Sequence, residues 1–142
     1  MKTLAALTSV LALFTLIPAI AAGPEKITDL AEALSKAQSQ NKTLFVQYGR
    51  EDCGNCQELK GYIKSRRLKL PEAKFVYADV NCDDPATSRL FNEKFKVRGS
   101  TLPFVVVVAP DGTQLAARTG YGTIKQYDDL LRDAAKASKT KE

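Results

Sequence analysis

Cys53 and Cys56 stand at the two ends of Cys53-Gly54-Asn55-Cys56, in a chain that contains no histidine. Two cysteines at this spacing can close a small-loop disulfide. The thiolate is the nucleophilic form of a cysteine. If the pair opens a helix, the first thiol lies at the helix N-terminus, where free N–H groups and the macrodipole favour a thiolate. The second thiol then lies a turn further in and can resolve a mixed disulfide by internal attack. Gly54 permits a tight turn, and Asn55 adds no charge. Half of a zinc ribbon has the same C-x-x-C spacing. A second C-x-x-C is missing and histidine is absent, so one chain cannot complete a four-ligand zinc site. No metal or organic cofactor is expected. A fixed structural disulfide is the bland reading of the same pair. Cys82, the third cysteine, reads either as a small buried hydrophobe or as an accessory thiol.

The pair needs elements to position it. Residues 27–40 carry Ile27, Leu30, Ala31, Leu34 and Ala37 at helical spacing, with Asp29 and Glu32 as a start signal. Thr43 to Tyr48 reads as a buried strand, and a loop from Gly49 to Asp52 leads to Cys53. A helix is expected from about Asn55 to Arg67, with Leu59, Ile63 and Tyr62 inward and a bend at Gly61. Residues 74–80 form a second strand, and Asp83-Asp84-Pro85 opens a helix over 86–95. Phe104 to Ala109 is nearly all valine, as in a strand buried on both faces. Pro110-Asp111-Gly112 turns it into a strand over 113–118. A last helix over 123–136 turns Ile124, Tyr127, Leu130 and Leu131 inward, and 138–142 is a polar tail. This order predicts an α/β fold, with a mixed four-stranded sheet flanked by helices on both faces.

A chain of 142 residues with 44% hydrophobic and 26% charged residues suits one globular domain. The net charge of +5 is dispersed, and no basic stripe interleaved with aromatics suggests nucleic-acid binding. Lys60, Lys64, Arg66, Arg67 and Lys69 read as a solvated basic face, or more sharply as a docking surface for an acidic partner. Residues 1–22 read as a secretory signal peptide. Lys2 supplies the positive start, Leu4 to Ile17 the apolar stretch, and Ala19-Ile20-Ala21 the small residues, with cleavage after Ala21 or Ala22. The apolar stretch is short for a hydrocarbon core of about 30 Å, which disfavours the rival reading of an uncleaved anchor. The expected mature domain is 23–137, periplasmic or secreted, in a setting where a disulfide persists.

The chain resembles the thioredoxin superfamily over most of the mature region. The resemblance rests on the C-x-x-C after the first core strand, the loop Val97-Arg98-Gly99-Ser100-Thr101-Leu102-Pro103-Phe104, the Val-rich strand, the hairpin and Gly120 before the last helix. It implies that Pro103 is a cis-proline facing the disulfide, and that Leu102 presents its backbone to an extended substrate. It also implies exchange with protein thiols and disulfides by a monomer, with a membrane redox partner for regeneration. Cys53 would attack and Cys56 resolve, with a slight lean towards reduction. The contrary reading is a non-catalytic binding module of the same fold with a structural Cys53–Cys56 disulfide. Three departures stand out. Asp52 occupies the place of the usual Trp and reads either as a charge opposing the thiolate or as a helix cap. Gln47 replaces a buried acid and cannot accept a proton. Asp79 takes a Lys position, which makes it a candidate proton acceptor for Cys56 or an ordinary polar residue near a strand end.

Overall fold

The computed structural model describes residues 23–140, so the signal-peptide expectation lies outside the described residues. The described residues form β1 (Lys26–Ile27), α1 (Leu30–Ser39), β2 (Thr43–Gly49), α2 (Gly54–Lys64), β3 (Phe75–Asn81), α3 (Pro85–Lys94), β4 (Phe104–Val108), β5 (Gln114–Thr119) and α4 (Ile124–Lys139). The sheet has five strands in the order β1-β3-β2-β4-β5, not four. The additional strand is β1, whose Lys26 and Ile27 pair in parallel with Tyr77 and Ala78. Ile27 shares the apolar spacing of α1, which is why the sequence assigned it to the helix. The helix starts only after Asp29, whose carboxylate accepts from the Glu32 N–H at 2.8 Å.

β2 lies at the centre. It pairs in parallel with β3 through Thr43↔Phe75 to Gly49↔Asn81, and antiparallel with β4 through Leu44↔Val108 to Tyr48↔Phe104. β4 and β5 close the antiparallel hairpin. Side chains alternate across the strands, and two apolar cores result. Leu44, Val46, Tyr48, Val76, Ala78 and Val80 pack against α1 and α3, where Leu30, Ala33 and Phe91 face the sheet. Phe45, Tyr77, Val105 and Val107 pack against α2 and α4 through Leu59, Ile63, Tyr127 and Leu130.

The helix ends follow local chemistry. Asp84 caps α3 by accepting from the Thr87 N–H at 2.7 Å, and Pro85 occupies the first turn. Thr123 and Gln126 form a capping box at α4. α2 stops at Lys64, short of the expected Arg67, because Arg66 turns left-handed at φ 59° and its N–H bonds to the Ile63 carbonyl at 3.0 Å instead of continuing the helical ladder. The basic run is therefore divided between a helix and the loop after it. α4 runs through Lys139, so part of the expected polar tail is helical.

Candidate active site

Cys53 is the N-cap of α2, a place the sequence left open to Asp52. The helix begins at Gly54, so Cys53 occupies the cap and its sulfur accepts the Cys56 N–H at 3.2 Å. Asp52 is exposed in the preceding turn. The two cysteines are joined as a disulfide with Cα atoms 5.2 Å apart. They are not equivalent: Cys53 is half-buried, whereas Cys56 is fully buried. A substrate can therefore reach the first sulfur and not the second.

β2 supplies the floor. Gly49, at its end, lies so close that a Cβ there would fall 2.6 Å from the Cys56 sulfur and 3.8 Å from the Pro103 Cβ. Any side chain larger than hydrogen would collide with the resolving position. Two residues earlier, Gln47 is 0% exposed, the one buried polar side chain among the described residues. Its Nε2 donates to the Cys56 carbonyl at 2.9 Å, and its Oε1 accepts from the Tyr77 hydroxyl at 3.0 Å. Both ends of the amide are thereby satisfied in an interior where an unmade bond is costly. Burial, joined by the charge of Asp79, pushes the Tyr77 phenol well above its ordinary range, so it stays a neutral donor.

Asp79 is the register partner of Gln47 on the same face of the sheet. It pairs with Lys60 at 3.0 Å and Lys26 at 3.7 Å rather than with Cys56. Lys60 also pairs with Glu51 at 3.0 Å. Burial of Lys60 opposes its charge, but the bonds to Asp79 and Glu51 outweigh that and raise its pKa. The sequence placed Lys60 on a solvated face; its spacing from Leu59 and Ile63 carried no sign that a carboxylate two strands into the sheet would meet it.

The loop before β4 faces the motif. Leu102–Pro103 is a cis peptide, Pro103 is buried, and Leu102 is half-buried. Asn55, inside the motif, donates from Nδ2 to the Leu102 carbonyl at 3.3 Å, across 47 residues of sequence. Cys82 is a free, half-buried thiol at the end of β3, with its sulfur 3.8 Å from Asp83 Oδ1. Its N–H bonds to the Gly49 carbonyl at 2.8 Å. Arg50 pairs with Asp83 at 3.1 Å. Among the described residues no cluster of three or more Cys, Asp or Glu is placed to hold a metal ion.

Three residues of this site gave little signal in sequence. Gln47 was visible as a polar residue in an apolar strand, but its two partners were not. Tyr77 looked like any strand aromatic, and the reach of Asn55 to Leu102 depends on a loop far along the chain.

The geometry has counterparts among solved structures. The chain superposes on a thioredoxin from Thermus thermophilus with a TM-score of 0.63 at 23% identity, covering 84% of this chain and 94% of that one. For a mutant thioredoxin from Halobacterium salinarum the TM-score is 0.56 at 22% identity, with 78% and 89% covered. For thioredoxin f from spinach chloroplast in its short form it is 0.55 at 17%, with 86% and 99% covered. No curated protein matches the sequence. These likenesses establish the fold, and the fold with its close cysteine pair supports thiol–disulfide oxidoreductase chemistry. The family model for the thioredoxin-like domain matches residues 30–135, from the start of α1 into α4 and through every element that frames Cys53 and Cys56, and the chain belongs to that family.

Proposed function

We propose that this protein exchanges dithiol for disulfide on protein substrates outside the cytoplasm, in the reducing direction. The observation that carries the reading is the asymmetry of the pair: Cys53 is accessible at a helix N-terminus, and Cys56 is sealed beneath it. In the reduced protein the Cys53 thiolate attacks one sulfur of a substrate disulfide. A new S–S bond joins Cys53 to the substrate, and the other substrate sulfur leaves as a thiolate. Cys56, as its thiolate, then attacks the Cys53 sulfur, closes the internal disulfide and releases the second substrate thiol. The substrate gains two electrons and, after protonation, two protons; the protein loses them. A dithiol donor restores the pair, a task suited to a membrane redox partner. The N–H of Cys56 is placed to hold a thiolate on Cys53; the first turn of α2 carries no acidic residue, and the carboxylate next to Cys53, Asp52, is exposed to solvent that screens it.

The exported location rests on Lys2, the apolar stretch from Leu4 to Ile17 and the small residues Ala19-Ile20-Ala21. The reducing direction rests on the uncharged Gly54-Asn55 between the cysteines. In an insulin-reduction assay with dithiothreitol, wild type should accelerate precipitation. Cys53→Ser should fall to the uncatalysed rate with an unchanged melting temperature of the reduced protein. A wild type that gives no acceleration refutes the reading. So does a reduction potential well below about −300 mV, which marks a structural disulfide.

A further inference from the structure

Three consecutive carbonyls run past the disulfide in the loop before β4, and they are held in different ways. Those of Thr101 and Pro103 both accept from the backbone N–H of Gly120, at 2.8 and 3.0 Å. These bonds belong to the fold and cannot be given up without moving the strand that follows. The carbonyl between them, on Leu102, accepts from the side chain of Asn55 at 3.3 Å. A side-chain amide on a half-buried helix turn can rotate away. The Leu102 N–H, meanwhile, donates to no group among the described residues. Leu102 thus carries one free donor and one acceptor closed only by a removable partner.

That pair of groups is what one residue of an extended chain uses when it exchanges both bonds with a neighbouring strand. Pro103, the next residue, lies against the Gly49 end of β2, where the Cys56 sulfur is the nearest neighbour. A chain paired to Leu102 therefore runs beside the disulfide.

We propose that Asn55 is an internal stand-in for the substrate backbone: its Nδ2–H occupies the Leu102 carbonyl while the site is empty and must be displaced when a protein substrate pairs there. The inference rests on the reading of the protein as an oxidoreductase of protein substrates. It makes Asn55 a specificity-determining residue. A small disulfide brings no backbone N–H, has no use for the Leu102 carbonyl and leaves the stand-in in place. An extended peptide must compete with it. The size of the effect is that of one neutral hydrogen bond, about two- to tenfold in affinity.

The test compares reduced wild type with reduced Asn55→Ala on two probes. One is the disulfide-linked dimer of an extended single-cysteine peptide; the other is 2-hydroxyethyl disulfide, which lacks a backbone. The ratio of kcat/KM for the peptide to kcat/KM for the small disulfide normalises any change in sulfur reactivity. Asn55→Ala should raise this ratio about two- to tenfold, with the change in the peptide KM rather than in kcat. The peptide is then N-methylated in turn at the two residues on either side of its cysteine. Methylation of the residue that meets Leu102 removes its donor, and there the gain should vanish. A ratio that is unchanged or lowered overturns the proposal, as does a gain that survives methylation at every position. If wild type reduces neither probe, the functional reading itself has failed. Turnover by wild type with no gain in the variant removes the stand-in alone.

Discussion

The two faces of the central sheet are built from the same strands and serve different ends. On the α1 and α3 face, Leu44, Val46, Tyr48, Val76, Ala78 and Val80 form an apolar layer completed by Phe91 and Phe95. On the α2 and α4 face, the alternate residues of β2 and β3 include Gln47, Gly49, Tyr77 and Asp79. One face contributes burial. The other gives up some apolar area to place a hydrogen-bonded amide, a bare backbone and an ion-paired carboxylate beneath the cysteine helix. The comparison teaches that stability and chemistry are separated by the pleat: a shift of one residue along β2 moves from one role to the other.

The largest effect is expected on the apolar face. Phe91 is 1% exposed, and its ring stacks on Tyr48 with centroids 4.1 Å apart. Phe91→Ala should cost about 3–5 kcal/mol, read by urea unfolding. Insulin reduction per folded molecule should persist. Loss of turnover in the folded fraction would show that the faces are not separable.

The next largest is on the polar face. Gln47→Leu keeps the volume but removes the acceptor of the Tyr77 hydroxyl and the donor to the Cys56 carbonyl. Orphaning a buried hydroxyl should cost about 1–3 kcal/mol, less than the Phe91 change. Unlike Phe91→Ala, it should slow release of a trapped Cys53 mixed disulfide, because the amide pins the turn that carries Cys56. An equal stability loss with an unchanged release rate would reduce Gln47 to a packing residue.

The smallest expected effect is at the sheet's ion pair. Asp79→Asn leaves Lys60 with Glu51 alone. Lys60 has a raised pKa in the folded state, above the ordinary 10.5. Its contribution to stability is therefore complete below that ordinary value and lost as pH rises through the folded one. Without Asp79 the alkaline decline should begin at lower pH, and the stability difference near neutrality should be about a few tenths of a kcal/mol. The same variant examines Asp79 as proton acceptor for Cys56: that role predicts an altered pH profile of Cys56 exchange, and an unchanged profile refutes it.

Much of the frame was legible along the chain. Asp29 with Glu32, Asp84 with Pro85, the valine run and the Pro110-Asp111-Gly112 turn each act within a few residues, and the elements they mark are present. What escaped was either too short or too far apart. β1 spans only Lys26–Ile27, less than any periodic signal, and is a strand because β3 is there to pair with it. The helix start decided whether Asp52 or Cys53 caps α2, and one residue separates the two outcomes.

The chemistry on offer is written in the order of the residues. The chain carries a thiol pair at helix-opening spacing and no histidine, with a strand before the pair and a proline loop after it. Local propensity and spacing suffice for that, since they depend on neighbours in the chain. Which groups meet the pair depends on how the sheet and helices pack. Gln47 under Cys56, Asp79 against Lys60 and Asn55 on the Leu102 carbonyl are contacts set by strand register and helix placement. Such contacts form between residues far apart in sequence, where spacing carries no information. The cysteine pair could be found by reading; its accessible sulfur, its buried sulfur and the amide standing beside them required the fold.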